Sequence, residues 1–335
     1  MAGVNTTSLQ ETAIRYQKDF MMLPYFVLAK ELGLLGINLV QGVQNKDTIT
    51  NFLRKNGITK PYDPAAVTNS TEIAKVEEVT MIMRKAYASV KDSIQNYKST
   101  LVGPDVLLGK NQSKKHPWEK TMIATIVKTF GEEVLSALFS ATFDLADQTP
   151  QGLFDGYNKI ITAAITGGAI AAGKGNLFTT GALNNSVVAT NVFDKLLAMY
   201  RASDVNLRTQ KSIFMVPFAI GDAYDDAYFE KYKSKPNYDE FGRTVLSGSN
   251  GLCLLKRSSV IGGGRVILTA EGNFDFGMDT MSDAEFVQVR YPFEDPNLVQ
   301  FWIQADFGTR IRSFHKKVFI TNEQAGAAVT IAGDY

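Results

Sequence analysis

The sequence is poor in the residues that do chemistry. Its 335 residues hold one cysteine and two histidines. A lone thiol, Cys253 in the apolar run "GLCLLK", excludes an intramolecular disulfide, and with so few imidazoles it reads as a core thiol rather than a nucleophile. His116 and His315 have no Cys, His or acidic partner at metal-ligand spacing, so no metal site is expected. Neither sign of charge dominates. Lys and Arg number 35 against 34 Asp and Glu, a net charge of +1, which excludes a binder whose affinity rests on a clustered basic excess. No apolar run approaches the roughly 20 residues a membrane-crossing helix needs. The start "MAGVNTTSLQETAIRYQKDF" lacks the basic residues and apolar stretch of a secretory signal. No membrane partner is expected, and synthesis in the cytoplasm is.

What is present belongs to a folded chain. Hydrophobic residues make up 45% and charged residues 21%, enough for a sizeable core in one large mixed domain or two smaller ones. Residues 12–32 carry apolar side chains at helical spacing, divided by Pro24. "TITNFLRKN" (48–56) reads as a strand and 60–70, with two prolines, as a loop tip. Residues 72–97 fit a helix or extended strands, and periodicity leaves both open. The clearest helix begins at "HPWEK", where Pro117 suits a first turn and Glu119 the positive end of the dipole. Ile123, Ile126, Val127, Phe130, Val134, Leu135, Leu138 and Phe139 then mark one apolar face.

Further on, Thr190 or Asn191 is placed to cap the helix "VFDKLLAMYRA". A buried strand at 211–218 leads into a helix at 219–233, indicating an α/β or α+β core. From 243 the chain reads as mostly β. "GRTVLSG", "LCLLKR" and "RVILTA" are short apolar runs, and "AEFVQVRYPFEDPNLVQFWIQADFG" reads as two strands joined by a tight turn at 294–297. The tail "NEQAGAAVTIAGDY" is small and polar and is expected to be loosely held.

Three stretches raise the question of chemistry. "GGAIAAGKG" (167–175) places Gly168, Gly173 and Lys174 as a phosphate-binding loop would, but Gly175 stands where a magnesium-binding hydroxyl belongs. A P-loop-like ATPase is the enzyme reading this stretch would support, and a surface loop is the better one. "IGGGR" (261–265) precedes a strand instead of opening a helix and reads as a tight turn. Asp222, Asp225 and Asp226 could bind a cation, though a solvated helix face accounts for them. "TPQG" marks a break between helices. No catalytic, cofactor-binding or metal-ligating residue is assigned, no cofactor is expected, and the chain does not read as an enzyme.

An empty catalytic inventory on a large, balanced chain points to a structural role, and the order of segments resembles the major capsid protein of tailed bacteriophages, the HK-ninety-seven-type fold. The resemblance runs from about residue 20 to 320. The long helix "HPWEKTMIATIVKTFGEEVLSALFSATF", the phrase "TPQGLFDGYNKII", and "KSIFMVPFAIGDAYDDAYFEKYK" with its proline between strand and helix carry it. So do "NFDFGMD", taken as the end of a shallow loop, and the closing "VQFWIQADFGTRIRSFHKKVFI". It implies an α+β chain with an N-terminal arm (1–46), an extended E-loop hairpin (47–98) and a peripheral P domain (99–165 and 285–320) whose spine helix spans 118–142. An axial A domain (166–284) and a C-terminal tail (321–335) complete it. The resemblance favours strand for 72–90.

By the same resemblance the partners are copies of the chain itself, as hexamers and pentamers of an icosahedral shell around double-stranded DNA. DNA is held by weak non-specific contacts, and scaffolding, portal and decoration proteins are further expected partners. The setting is a virion made in a bacterial host. Only 46 residues precede the E-loop, which implies a separate scaffolding protein or none. Lys60, Lys75, Lys85 and Lys91 lie in or near the E-loop, where some relatives crosslink, but no motif selects one of them. An encapsulin-type nanocompartment shell shares the fold and is the alternative; a ring- or tube-forming tail component is a further one.

Overall fold

The computed structural model describes residues 28–43, 45–54, 74–93, 118–181, 183, 189–236, 238, 244–262, 264–279, 287–290 and 298–323. The division at Pro24, the loop tip at 60–70, His116 with Pro117, the turn at 294–297 and most of the tail lie outside them.

Residues 28–35 are helical and bury Leu28, Leu32 and Leu35, one face at helical spacing. They lead into a short strand, β1 (Asn38–Gln41). Next come β2 (Lys46–Arg54) and β3 (Ala74–Ile82), paired antiparallel from Lys46 opposite Ile82 to Arg54 opposite Ala74. After a one-residue break at Met83 the chain continues as β4 (Arg84–Ser93). Of the stretch left open between helix and strand, the described residues 74–93 are therefore strand on either side of Met83, as the resemblance favours.

The long helix α1 (Trp118–Ser140) buries Ile123, Val127, Phe130, Val134, Leu138 and Phe139 along one side. Its apolar stripe meets a mixed sheet built around one 14-residue strand, β11 (Leu298–Ile311). β4 runs antiparallel to Leu298–Phe307 of β11, and β10 (Val287–Arg290) to Gln300–Ile303. β9 (Phe274–Met278) pairs with Phe307–Ile311 and, in parallel, with β1. Helix α2 (Tyr157–Thr166) closes this first core, where Tyr157 meets Phe274 edge-on at 4.9 Å and Phe130 meets Phe307 at 5.8 Å.

A second sheet runs in the order β5, β12, β8, β6, β7, with β5 at Leu177–Phe178, β6 at Ser212–Pro217, β7 at Cys253–Ser258, β8 at Ile267–Ala270 and β12 at Phe319–Asn322. β6 lies between two neighbours and is buried at every position, which is why it reads as an uninterrupted apolar run. Helices α3 (Ala189–Ala202) and α5 (Phe218–Tyr232) share its second core through Phe193, Leu196, Tyr224 and Leu268, and the short α4 (Val205–Thr209) adds Leu207. Buried Arg265 ties the units together, donating to the Asn322 carbonyl on β12 (2.9 Å) and to Thr162 Oγ1 on α2 (3.2 Å).

Several expectations are corrected. α3 has already begun at Ala189, so Thr190 and Asn191 stand in its first turn and not at its cap. "NFDFGMD" is not a loop end but the fully buried strand β9. α1 ends at Ser140, two residues short of the expected boundary. Within "GRTVLSG", among the described residues, only isolated bridges at Thr244 and Val245 form. The tail is loose nowhere in its first residues: Thr321 and Asn322 are buried in β12, and the Glu323 carboxylate accepts from the Thr180 and Gly181 amides.

Candidate functional site

The β2–β3 hairpin stands on the first sheet, and β11 is its footing. Side chains alternate across a strand, so Gly308 and Arg310 share one face, with Arg312 just past the strand's end, while Phe307 and Ile311 enter the core from the other. Each of the three meets the hairpin or its root. Gly308 lies opposite Gly277 of β9, and Met81 and Met83 rest over this pair. Arg310 sends Nη1 to Asp47 Oδ2 on β2 at 2.9 Å. The Arg312 carbonyl accepts from Asn51 Nδ2, further up β2.

Beneath Arg310 lies Asp275, fully buried and directly opposite it in register. Asp275 Oδ2 accepts from Arg310 Nη2 (2.7 Å) and Nε (3.1 Å), while Arg312 Nε and Nη2 approach Oδ1 at 2.8 Å. Asn38 Nδ2 on β1 adds a contact to Oδ1 at 3.3 Å. A carboxylate removed from water must find such partners, and here two guanidiniums supply them. The Tyr157 hydroxyl donates to the Asp275 carbonyl at 2.9 Å, and burial, with the neighbouring Asp275 charge, holds that phenol well above its usual range. The cluster thus joins β1, β2, β9, β11 and α2. Its charges are met by one another, so the cluster holds these elements together.

A small apolar contact completes the root. Met81 and Met83 are buried with Val43 and pack against Val40, while the Met83 amide donates to the Asn45 carbonyl at 2.8 Å. Among the described side chains of β3, Val76, Glu77, Glu78 and Thr80 are exposed, and Ile82 is 54% exposed.

No family model and no curated protein matches the sequence. Solved structures do match the coordinates. The capsid of an empty GTA particle aligns over 88% of this chain and 90% of its own, with 15% identity and a TM-score of 0.56. The capsid asymmetric unit of cyanophage A-1(L) covers 87% of this chain and 91% of its own at 15% identity, TM-score 0.55. A chain of the satellite phage P4 procapsid covers 89% and 98% at 8% identity, TM-score 0.50. The chain has the phage major capsid protein fold. The architecture is α+β and HK-ninety-seven-type.

Within the capsid fold the stretches singled out for chemistry are scattered. Lys174 ends a short 3-10 turn (Ala172–Lys174), and Gly175 adopts a left-handed conformation before β5; no helix opens there to cradle phosphate. Around Ile261 and Gly264 the chain turns, as read. Asp222 and Asp226 stand exposed on α5, as a solvated face places them, and Arg257 on β7 reaches to Asp222 (3.0 Å) and to half-buried Asp225. His315 Nδ1 accepts from the Lys317 amide (3.3 Å), and burial, with Lys317 and Lys316 nearby, depresses its pKa. Cys253 is buried in β7, its thiol pushed up to about 12. Among the described residues no three His, Cys, Asp or Glu side chains gather as a metal site, and no helix is long and apolar enough to cross a membrane.

The residues that matter at the hairpin root were not singled out in the sequence. Two signals were available. Asp275 stands between Phe274 and Phe276, and a charge inside an apolar run is a buried charge awaiting a partner. Gly277 follows two places on, and a glycine within a strand marks close approach of another segment.

Proposed function

We propose that the protein is a shell subunit whose copies assemble as hexamers and pentamers into an icosahedral capsid enclosing double-stranded DNA, within a virion made in a bacterial host. One observation carries this reading: a long two-stranded hairpin is fastened firmly at its root and left exposed along most of the described side chains of β3. An isolated two-stranded ribbon is marginal in water, and it gains stability when laid on another surface. A neighbouring copy supplies that surface in a shell. The capsid fold supports the same reading, as does a net charge of +1, which lets many copies pack without strong repulsion and leaves only weak attraction for DNA.

The division into an arm (1–46), E-loop (47–98), P domain (99–165 and 285–320), A domain (166–284) and tail (321–335) is part of the proposal, although β9, within 166–284, pairs in the first sheet and β12, across the 320/321 boundary, in the second. The role is association without turnover, with scaffolding, portal and decoration proteins as expected partners. The test is negative-stain electron microscopy of the purified full chain together with light scattering. Closed shells, or uniform hexameric and pentameric rings, are the expected result. A monomer at every concentration, with or without a co-expressed scaffolding protein, would overturn the proposal, and tubes would reassign it to a tail component.

A further inference from the structure

We infer that the facing pair Gly277 and Gly308 is the seat that sets the angle at which the E-loop leaves the body, and through that angle the curvature of the shell. The inference rests on the shell-forming reading above. Directly opposed residues of an antiparallel pair point to the same face. The two glycines therefore open one continuous gap in the surface of the sheet, and the last turn of the hairpin lies in it. A Cβ on Gly277 would stand 2.5 Å from Met81 Cε and 2.9 Å from the sulfurs of Met81 and Met83. A Cβ on Gly308 would stand 2.7 Å from the carbonyl oxygen of Ile82 and 2.9 Å from Met83 Sδ. Neither glycine has a positive φ, so close approach, not backbone conformation, is what calls for glycine at both.

The other two supports turn this seat into a fulcrum. Asp47 is tied to Arg310, and Asn51 to the Arg312 carbonyl just past the end of β11. From residue 308 to 312 the chain spans about 13 Å at roughly 3.3 Å per residue. Heavy atoms settle at about 3.5–4.0 Å, so a methyl at Gly308, against the Ile82 backbone, must lift the root by about 1 Å, whereas at Gly277 the methionine side-chain ends give way in part. With the far support fixed, that lift tilts the hairpin by roughly 4 degrees and moves its distal end by about 2 Å over the length of β3. Every copy in a closed shell would repeat the tilt, so a small local change adds up around the particle.

The two glycines differ in a way that makes the inference testable. The carbon added at Gly277 has methionine side-chain atoms as its nearest neighbours, whereas the one added at Gly308 faces backbone. The experiment is to express full-length Gly277→Ala, Gly308→Ala and the double variant Gly277→Ala with Met81→Ala, to measure particle diameters by electron microscopy, and to follow amide exchange of 45–54 and 74–83 in the subunit. Gly308→Ala is expected to give shells of altered or irregular diameter and roughly tenfold faster exchange at the hairpin root. Gly277→Ala is expected to do the same to a smaller degree, because methionine ends can turn aside, and removal of the Met81 side chain to return both readouts toward wild type.

Wild-type diameter and wild-type exchange in Gly277→Ala and Gly308→Ala would overturn the seat. If Gly308→Ala fails to fold, the Gly277 variant and its rescue decide alone. A wild-type protein that forms no particle would sink the shell reading and the curvature claim with it, and the exchange data would still decide whether the glycines seat the hairpin.

Discussion

The pair Asp275 and Arg310 shows how a charge is kept in the interior. Both side chains are at most 1% exposed, and each makes more than one charge-assisted hydrogen bond. Burying two charges costs nearly as much as their attraction returns, so the pair adds little net stability, but removing one partner strands the other. Arg310→Met is therefore expected to lower the unfolding free energy by about 3–5 kcal/mol, less whatever Arg312 recovers as the remaining partner of Asp275. Asp47 is 38% exposed, and its link to Arg310 is worth about 1 kcal/mol or less. Asp47→Asn should leave the urea midpoint almost unmoved while loosening β2. Urea denaturation of both variants checks this, and equal losses would mean that Arg310 serves the hairpin more than the core. At this scale little was legible beforehand: Asp47, Asp275, Arg310 and Arg312 are ordinary charges in sequence, and only their meeting across 263 positions gives them a role.

Elements were easier to read than contacts, for identifiable reasons. α1 announces itself because its apolar stripe faces one sheet over its whole length, and β6 because it is buried on both sides. Residues 74–82 stayed open because β3 is exposed along most of its length, so no core imposes a period on it. β9 was hidden by Asp275 and Gly277, the two residues that serve the hairpin root. The second core makes a prediction of its own. Burial raises the Cys253 thiol from 9.0 to about 12 and the Tyr224 phenol from 10.0 to about 12, and raises Tyr200 as well. Below pH 9 these groups are protonated in both states and stability is unaffected. Between pH 9 and about 12 the unfolded chain releases protons that the folded chain retains, so stability falls as pH rises, by up to about 1.4 kcal/mol per pH unit for each group. Urea midpoints at pH 8 and pH 10 should differ accordingly, and Cys253→Ala should show the smaller drop. An equal drop in both proteins would remove the thiol from the account.

For the whole molecule the decisive surface is the one the single chain leaves bare. Val76, Glu78, Thr80 and Ile82 share one face of β3, opposite the face on which Met81 is seated, and Val76 and Ile82 are 52% and 54% exposed. Two large aliphatic side chains are left about half exposed outside the subunit's cores. Covering the remaining half by a neighbour contributes about 0.8–1.5 kcal/mol each. Losing both corresponds to an assembly threshold raised by roughly one to two orders of magnitude in concentration. Val76→Asp with Ile82→Asp should therefore leave the subunit's own melting within the small range of surface substitutions, because neither side chain is part of its cores. The same variant should abolish light scattering at concentrations where the wild-type protein forms particles. If the onset does not move, this face is not buried between copies, and the hairpin must meet its neighbour through the face that carries Glu77 and Val79, which the matching Val79→Asp substitution would then show.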